Sequence, residues 1–308
     1  MNTSQITTRG TMSVSVNQGQ ILGDQHALIT GAGSGIGLAS AKALAALGAK
    51  ITICDVNPQT AQRAADEICT SANIGTFSVV GDVSKERDVR RWLTQSERAL
   101  GPITILVNNA GIMPPRVEAA HHIAVAEFDR MLAVHLRGAF LASKEVIPGM
   151  RRRRFGRIVN LSSVLGLVGL PYRLAYQVAK TGVVGLTRTL ALENARHGIT
   201  VNAIAPGYIF TDTLRARAEK GLLDYDLYAE RTPVGRWGTP EEVARVVSFL
   251  VEPASAFITG AIYVVDGGYT MRGDPGEDIG KRESRPFVKQ KRRRRTAGTR
   301  VPARSRSQ

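Results

Sequence analysis

Tyr176 and Lys180 stand four residues apart in a stretch with helical patterning, so their side chains share one face. An ammonium near a phenol favours the phenolate. That lets a tyrosine act as acid or base nearer neutral pH. Ser163 follows an apolar run ending at Leu161 and precedes Tyr176 by 13 residues. Its hydroxyl can hold a substrate oxygen by a hydrogen bond. Taken alone, a Tyr–Lys pair at this spacing is an ordinary feature of helices, and its meaning depends on what surrounds it.

A second group of residues can bind phosphate. Thr30-Gly31-Ala32-Gly33-Ser34-Gly35-Ile36-Gly37 joins a short apolar run to a helix-like segment. Glycines there let backbone approach a pyrophosphate and supply positive φ angles. The helix that follows offers free N–H groups and the positive end of its dipole. A glycine-rich loop is a weak signal by itself, and its place between strand and helix strengthens it. Asp55 lies 18 residues after Gly37, at the end of the next strand-like run. A carboxylate there accepts hydrogen bonds from adenosine ribose hydroxyls and repels a 2′-phosphate. Neither Val56, Asn57 nor Ser34 is basic, which favours NAD over NADP. The other reading of Asp55 is a turn or helix cap before Pro58. Asp82 and Val83, after the third strand, are placed to touch an adenine edge, and Asp82 serves equally as a simple N-cap.

These groups need a scaffold. Apolar runs at 26–30, 50–54, 76–80, 103–107, 157–161, 200–204 and 261–265 read as strands. Helical patterning fills 36–47, 58–71, 84–100, 124–150, 176–197 and 240–251, with Ser84 as the N-cap of the third helix. Near-continuous Ile/Val/Leu runs imply strands buried on both faces, hence a parallel sheet. The alternation implies a doubly wound α/β domain. One domain over 25–271 fits, between a polar leader at 1–24 and a tail at 272–308.

Composition narrows the function classes. No stretch approaches the roughly 20 apolar residues of a membrane-spanning helix, so no membrane partner is expected. Cys54 and Cys69 are too few for a disulfide framework or a Cys-rich zinc site. His121 and His122 have no spaced carboxylate or thiol partner, so no metal site is expected, and a reducing, cytoplasmic setting is. The net charge of +15 invites a nucleic-acid reading. More than half of it, +9, sits in residues 272–308, with Lys289, Lys291 and the run Arg292 to Arg295. That segment has few apolar residues and no periodicity and reads as a disordered, solvated tail. Nucleic-acid binding through it is the reading from a different functional class. The run Arg151 to Arg154 reads as a solvated helix end.

The motifs taken in order carry a resemblance. TGAGSGIG at 30–37, NNAG at 108–111, Ser163 with Tyr176-Gln177-Val178-Ala179-Lys180, Pro206-Gly207 and Asp266-Gly267-Gly268 resemble the short-chain dehydrogenase/reductase family over about residues 24–271. The resemblance implies a Rossmann-type sheet of seven parallel strands. It implies hydride transfer between a nicotinamide and a carbinol or carbonyl carbon, with Tyr176 as proton donor or acceptor. Lys180 then lowers the Tyr176 pKa and binds the nicotinamide ribose, while Ser163 orients the substrate oxygen. Asn109 and Gly111 line the cofactor cleft, with Ala110 beside the adenine ribose. Pro206, Gly207, Ile209 and Thr211 flank the nicotinamide carboxamide. By the same analogy the chain forms a homotetramer or homodimer through its long helices.

One position departs from the family pattern. His135 stands where the family has an asparagine whose main chain helps hold a water near the catalytic lysine. Either the imidazole joins that relay or it packs and hydrogen-bonds locally. Residues 207–236 are expected to form a mobile lid governing substrate choice. Met113, Leu165 and Tyr172 are placed near the substrate end. The segment 232–238 resembles polyol and sugar-acid dehydrogenases and also 3-oxoacyl thioester reductases. With NAD favoured, oxidation of a secondary alcohol or polyol is the first expectation, and thioester reduction the alternative.

Overall fold

The computed structural model describes residues 20–271. The basic tail and most of the leader lie outside the described residues. Leu22, assigned to the leader by sequence, is fully buried, so the domain begins before residue 25.

Seven strands form one parallel sheet: β1 (His26–Thr30), β2 (Lys50–Asp55), β3 (Thr76–Val80), β4 (Ile105–Asn108), β5 (Gly156–Leu161), β6 (Ile199–Pro206) and β7 (Ile262–Val265). Their order is β3-β2-β1-β4-β5-β6-β7. This is the doubly wound architecture expected from the sequence. Alternate residues of each strand feed two cores, as the pleat requires. Ala27 and Ile29 of β1, with Ile51 and Ile53 of β2, pack with α1 (Gly35–Ala46), α2 (Pro58–Ala72) and α9 (Pro240–Val251) through Leu44, Ile68 and Val247. Leu28, Leu106 and Ile158 point the other way, to Trp92 of α3 (Glu86–Leu100) and Met150 of α5 (Gly138–Arg153). The chain reverses direction across the sheet between β1 and β4. Loops diverge there, and a crevice opens at the carboxyl ends of the strands.

Several boundaries depart from the sequence reading for local reasons. Ser84 does not cap α3; its N–H and hydroxyl donate to the Asp82 carboxylate at 2.9 and 2.7 Å, and the helix starts at Glu86. Asp82 therefore serves a turn. Asn57, not Asp55, caps α2, accepting from the Gln59 and Thr60 N–H groups. The helix expected over 124–150 is α4 (Val125–Leu132) and α5, joined by a π-helical turn at Ala133–Arg137. Such a turn is a local widening of a helix that often sits at functional sites. Arg151 to Arg153 form the last turn of α5 as expected, and Arg154 ends it in a left-handed conformation. The lid carries two short helices that the sequence reading did not assign, α7 (Asp212–Glu219) and α8 (Tyr225–Arg231). α6 (Leu174–Asn194) begins two residues before Tyr176. No helix among the described residues is long and apolar enough to cross a membrane.

Candidate active site

One cleft of about 690 Å³ occupies the crevice. Gly31, Ser34, Gly35, Ile36, Asp55, Asp82 and Val83 line it, as do Asn109, Ala110, Gly111 and His135. Ser163, Tyr176, Lys180, Pro206, Gly207, Ile209 and Thr211 line it too. Of the residues expected to act in catalysis or hold the cofactor, Gly37 alone does not line the cleft. Gly37 is needed for packing: a Cβ there would strike the Gly31 carbonyl oxygen and come within 2.5 Å of Asn109 Nδ2.

The dinucleotide end is held by backbone. Gly31 has φ +64°, and a Cβ on it would lie 2.8 Å from Ala110 Cα. The Asn109 amide donates to the Thr30 and Gly31 carbonyls, both at 2.9 Å, and so pins the glycine loop to the end of β4. Asp55 Oδ2 accepts from the Gly33 N–H at 2.9 Å and Oδ1 from the Asn57 N–H at 3.0 Å. These bonds fix its carboxylate at the rim of the cleft. Thr211 Oγ1 accepts from Leu214 N at the start of α7, and its methyl would lie 3.3 Å from a Cβ on Gly35. The lid thus begins directly over the phosphate loop. An open glycine cradle facing a helix N-terminus, with a rim carboxylate, fits a dinucleotide pyrophosphate and ribose.

At the other end Ser163, Lys180 and His135 are buried, and Tyr176 is half-buried. Lys180 Nζ donates to the Leu161 carbonyl at 2.7 Å and lies 5.6 Å from the Tyr176 ring centroid. Burial lowers the Lys180 pKa to about 7. Burial also raises the Tyr176 phenol above its usual value, and a hydrogen bond from Ser163 opposes the rise. The sequence argument anticipated a phenol lowered by Lys180; burial instead raises it, and the opposing influence is the Ser163 hydrogen bond rather than the lysine.

His135 sits in the π turn. Its Nε2 lies 2.8 Å from the Ile112 carbonyl, the geometry of an Nε2–H donor, and its ring meets Tyr176 edge-on. Burial and the nearby Lys180 charge push its pKa down to about 3, so the imidazole is neutral at ordinary pH. Its Nδ1 is buried without a partner.

Sequence reasoning missed two features. Asn108 Nδ2 donates to Asn160 Oδ1 at 2.8 Å and to Ser143 Oγ at 3.1 Å, and Asn160 donates to Thr187 Oγ1 at 2.9 Å. This buried network ties β4, β5, α5 and α6 together beneath the site. Asparagines inside otherwise apolar strands were the available signal. Arg173 and Arg217 also line the cleft; Arg173 was detectable as the residue three before Tyr176. Met113 and Leu165 line it as expected, whereas Tyr172 is exposed, with φ +63°. The His121 and His122 rings lie 4.1 Å apart at a tilt of 47° in a short 3-10 turn, and no cluster of metal-binding side chains occurs among the described residues.

A family model described as enoyl-(acyl carrier protein) reductase matches residues 31–270. The chain is 40% identical over 245 residues to 2-(S)-hydroxypropyl-CoM dehydrogenase 3 of Xanthobacter autotrophicus, covering 79% of this chain and 95% of that protein. The chain belongs to the short-chain dehydrogenase/reductase family. Galactitol 2-dehydrogenase (L-tagatose-forming) of Cereibacter sphaeroides is 40% identical to this dehydrogenase/reductase over 248 residues, with 80% and 94% covered. The crystal structure of levodione reductase superposes with a TM-score of 0.78 at 34% identity, covering 81% of this chain and 99% of that one. This short-chain dehydrogenase/reductase is therefore an oxidoreductase of CH–OH groups that uses a nicotinamide cofactor, NAD(P).

Proposed function

We propose that the protein is an NAD-dependent dehydrogenase that oxidises a secondary alcohol of the polyol or sugar-acid type. One observation carries this reading. A single cleft runs from a rim carboxylate, Asp55, to buried Ser163 and Lys180 together with half-buried Tyr176. Asp55 has no basic residue at Val56, Asn57 or Ser34 to receive a 2′-phosphate, which supports NAD over NADP.

A bound nicotinamide supplies the hydride acceptor. Gly31, Gly35 and the N-terminus of α1 hold its pyrophosphate, and Asp55 holds the ribose hydroxyls. Val83 and Ala110 pack against the adenosine half. Asn109 and Gly111 shape the floor between the two halves. Pro206, Gly207, Ile209 and Thr211 bound the carboxamide side. Ser163 donates a hydrogen bond to the substrate oxygen, and Tyr176 takes the hydroxyl proton as the carbinol becomes a carbonyl. Reduction runs the same proton in reverse. Lys180, with Nζ 5.6 Å from the Tyr176 ring centroid, binds the nicotinamide ribose beside the tyrosine. His135 acts here as a neutral positioning residue: it anchors Ile112 and buttresses the Tyr176 ring.

Assembly belongs to the same proposal. Phe140 on α5, with Val178 and Leu192 on α6, is exposed along the two long helices. Phe249, Phe257 and Val264 form a second exposed apolar group near α9 and β7. Apolar surface of this kind marks interfaces, and two such surfaces per chain suit a homotetramer. Light scattering on the purified protein reads the mass directly.

The test of the activity is a panel of secondary alcohols and polyols mixed with NAD or NADP, following absorbance of the reduced cofactor. Turnover with NAD is expected. Strong preference for NADPH refutes the cofactor assignment, and turnover of 3-oxoacyl thioesters in place of alcohols refutes the substrate class.

A further inference from the structure

Two arginines at the catalytic end of the cleft have no acidic partner among the described residues. Arg173 is the N-cap residue of α6, three residues before Tyr176 and so on the same helical face. Arg217 reaches in from α7, its Nη1 donating to the Pro114 carbonyl at 3.3 Å. Both are half-buried and both line the cleft. Among the described residues the one side-chain hydrogen bond of Arg173 goes to the Tyr172 carbonyl at 3.5 Å. Arg215, on the outer face of the same helix as Arg217, shows the contrast: it pairs with Asp212 at 3.1 Å and Glu219 at 3.9 Å.

Two half-buried guanidiniums that repel each other are an unfavourable arrangement unless an anion joins them. The repulsion is felt: burial, and then the Arg173 charge, lower the Arg217 pKa. Asp212 lines the cleft as well, but Arg215 engages its carboxylate. The pyrophosphate of the cofactor has partners of its own in the glycine cradle and the N-terminus of α1. Its glycine cradle follows β1, two strands from β5, and Asp55 ends β2, a third strand away. At about 4.8 Å per strand, the rim carboxylate is roughly 14 Å from the Ser163 side of the sheet.

We propose that Arg173 and Arg217 form an anion subsite that selects secondary-alcohol substrates bearing a carboxylate, sulfonate or phosphate group at the end remote from the carbinol. The guanidinium fork matches the paired oxygens of each of these groups. The N-terminus of α6 adds its dipole to the same spot. Arg217 arrives on the lid and bonds to the loop after β4, so an anion bound between the arginines also holds the lid down. This inference rests on the dehydrogenase reading and names its substrate class.

The experiment has two arms. In the first, kcat/KM is compared for 4-hydroxypentanoate and 4-hydroxypentanamide, which are close in size and shape but of which only the acid carries a negative charge. The acid is preferred, and Arg173→Gln and Arg217→Gln each cut the preference by about tenfold to a hundredfold, the scale of a lost charged hydrogen bond. Arg217→Lys recovers part of it. In the second arm, calorimetry follows butane-1-sulfonate, butan-1-ol and inorganic sulfate binding to the full-length protein with NAD present. Butane-1-sulfonate binds, and either Gln variant weakens it by the same factor; binding to the basic tail would survive both. Equal kcat/KM for acid and amide overturns the subsite. So does a preference that neither variant alters, or a loss of NAD affinity as large as the loss of sulfonate affinity. If neither alcohol reacts, the activity assignment fails at this substrate while the sulfonate titration still decides the subsite. Sulfate binding as tightly as butane-1-sulfonate means a general anion hole and overturns substrate selection.

Discussion

The His135 and Tyr176 rings meet edge-on, with centroids 5.2 Å apart and planes at 86°. Two helices must approach closely for this contact. A Cβ on Gly182 of α6 would lie 2.7 Å from Leu136 Cδ2 in the π turn, so the Leu136 side chain packs directly on the α6 backbone where the two segments touch. The π turn directs His135 inward, and Nε2–H to the Ile112 carbonyl locks the ring. The result is a neutral imidazole packed on the tyrosine proposed to carry the proton.

His135→Asn is expected to keep or raise turnover, because a neutral hydrogen-bonding side chain remains at the Ile112 contact. A loss above about tenfold in kcat would assign the imidazole an active part. The same variant has a stability signature. His135 titrates at about 3 folded, against about 6.5 unfolded. As pH falls from about 6.5 towards 3, the unfolded chain binds the proton first, and stability drops. His135→Asn should lose less stability over that window, read by urea melts at pH 7, 5 and 4. His26, also lowered by burial, titrates alike in both proteins and cancels in the comparison.

Tyr176→Phe removes the phenolic oxygen and leaves the ring packing. Turnover should fall by about a hundredfold to ten-thousandfold, the usual worth of a general acid–base group. Dinucleotide affinity, followed by fluorescence titration, should change little. Retained turnover would remove Tyr176 from the proton step.

Lys180 has its pKa lowered to about 7 by burial, against about 10.4 when free. Between these values the unfolded chain holds the extra proton, so this group makes stability rise with pH from about 7 to about 10. Below pH 7 the full cost of burying the charge remains. Lys180→Met should erase that rise; parallel melting curves from pH 7 to 9.5 decide it.

Asp55→Asn neutralises the rim carboxylate and keeps an acceptor for one of the two N–H groups, Gly33 or Asn57, that its oxygens hold. The ratio of kcat/KM with NADP to that with NAD should rise about tenfold, since an unfavourable charge contact is what rejects the 2′-phosphate. An unchanged ratio would place cofactor choice elsewhere.

Asn160→Ala leaves the Asn108 amide and the Thr187 hydroxyl each short of a buried partner. A loss of about 1–3 kcal/mol is expected from unpaired buried polar groups, measured as a shift in the urea midpoint at constant slope.

The order of elements, the parallel sheet and the positions of Ser163, Tyr176 and Lys180 were all readable from sequence. Apolar runs, glycine placement and an i,i+4 pair are local signals. Buried strands must be apolar on both faces, a phosphate loop must lack side chains, and helix geometry sets which residues share a face. What required the tertiary structure was every property set by distant neighbours. Ser84 was a good cap for α3 on paper, yet neither it nor Asp82 caps the helix: the two bond to each other in the turn before it, and α3 starts at Glu86. A phenol beside a lysine was expected to be acidified, but burial dominates both groups, and burial is not a property of a four-residue spacing. The π turn at His135 came from the docking of α4 and α5 on α6. Arg173 and Arg217 are 44 positions apart in sequence. Only the return of the lid across the sheet makes them one feature, because charges interact through space rather than along the chain.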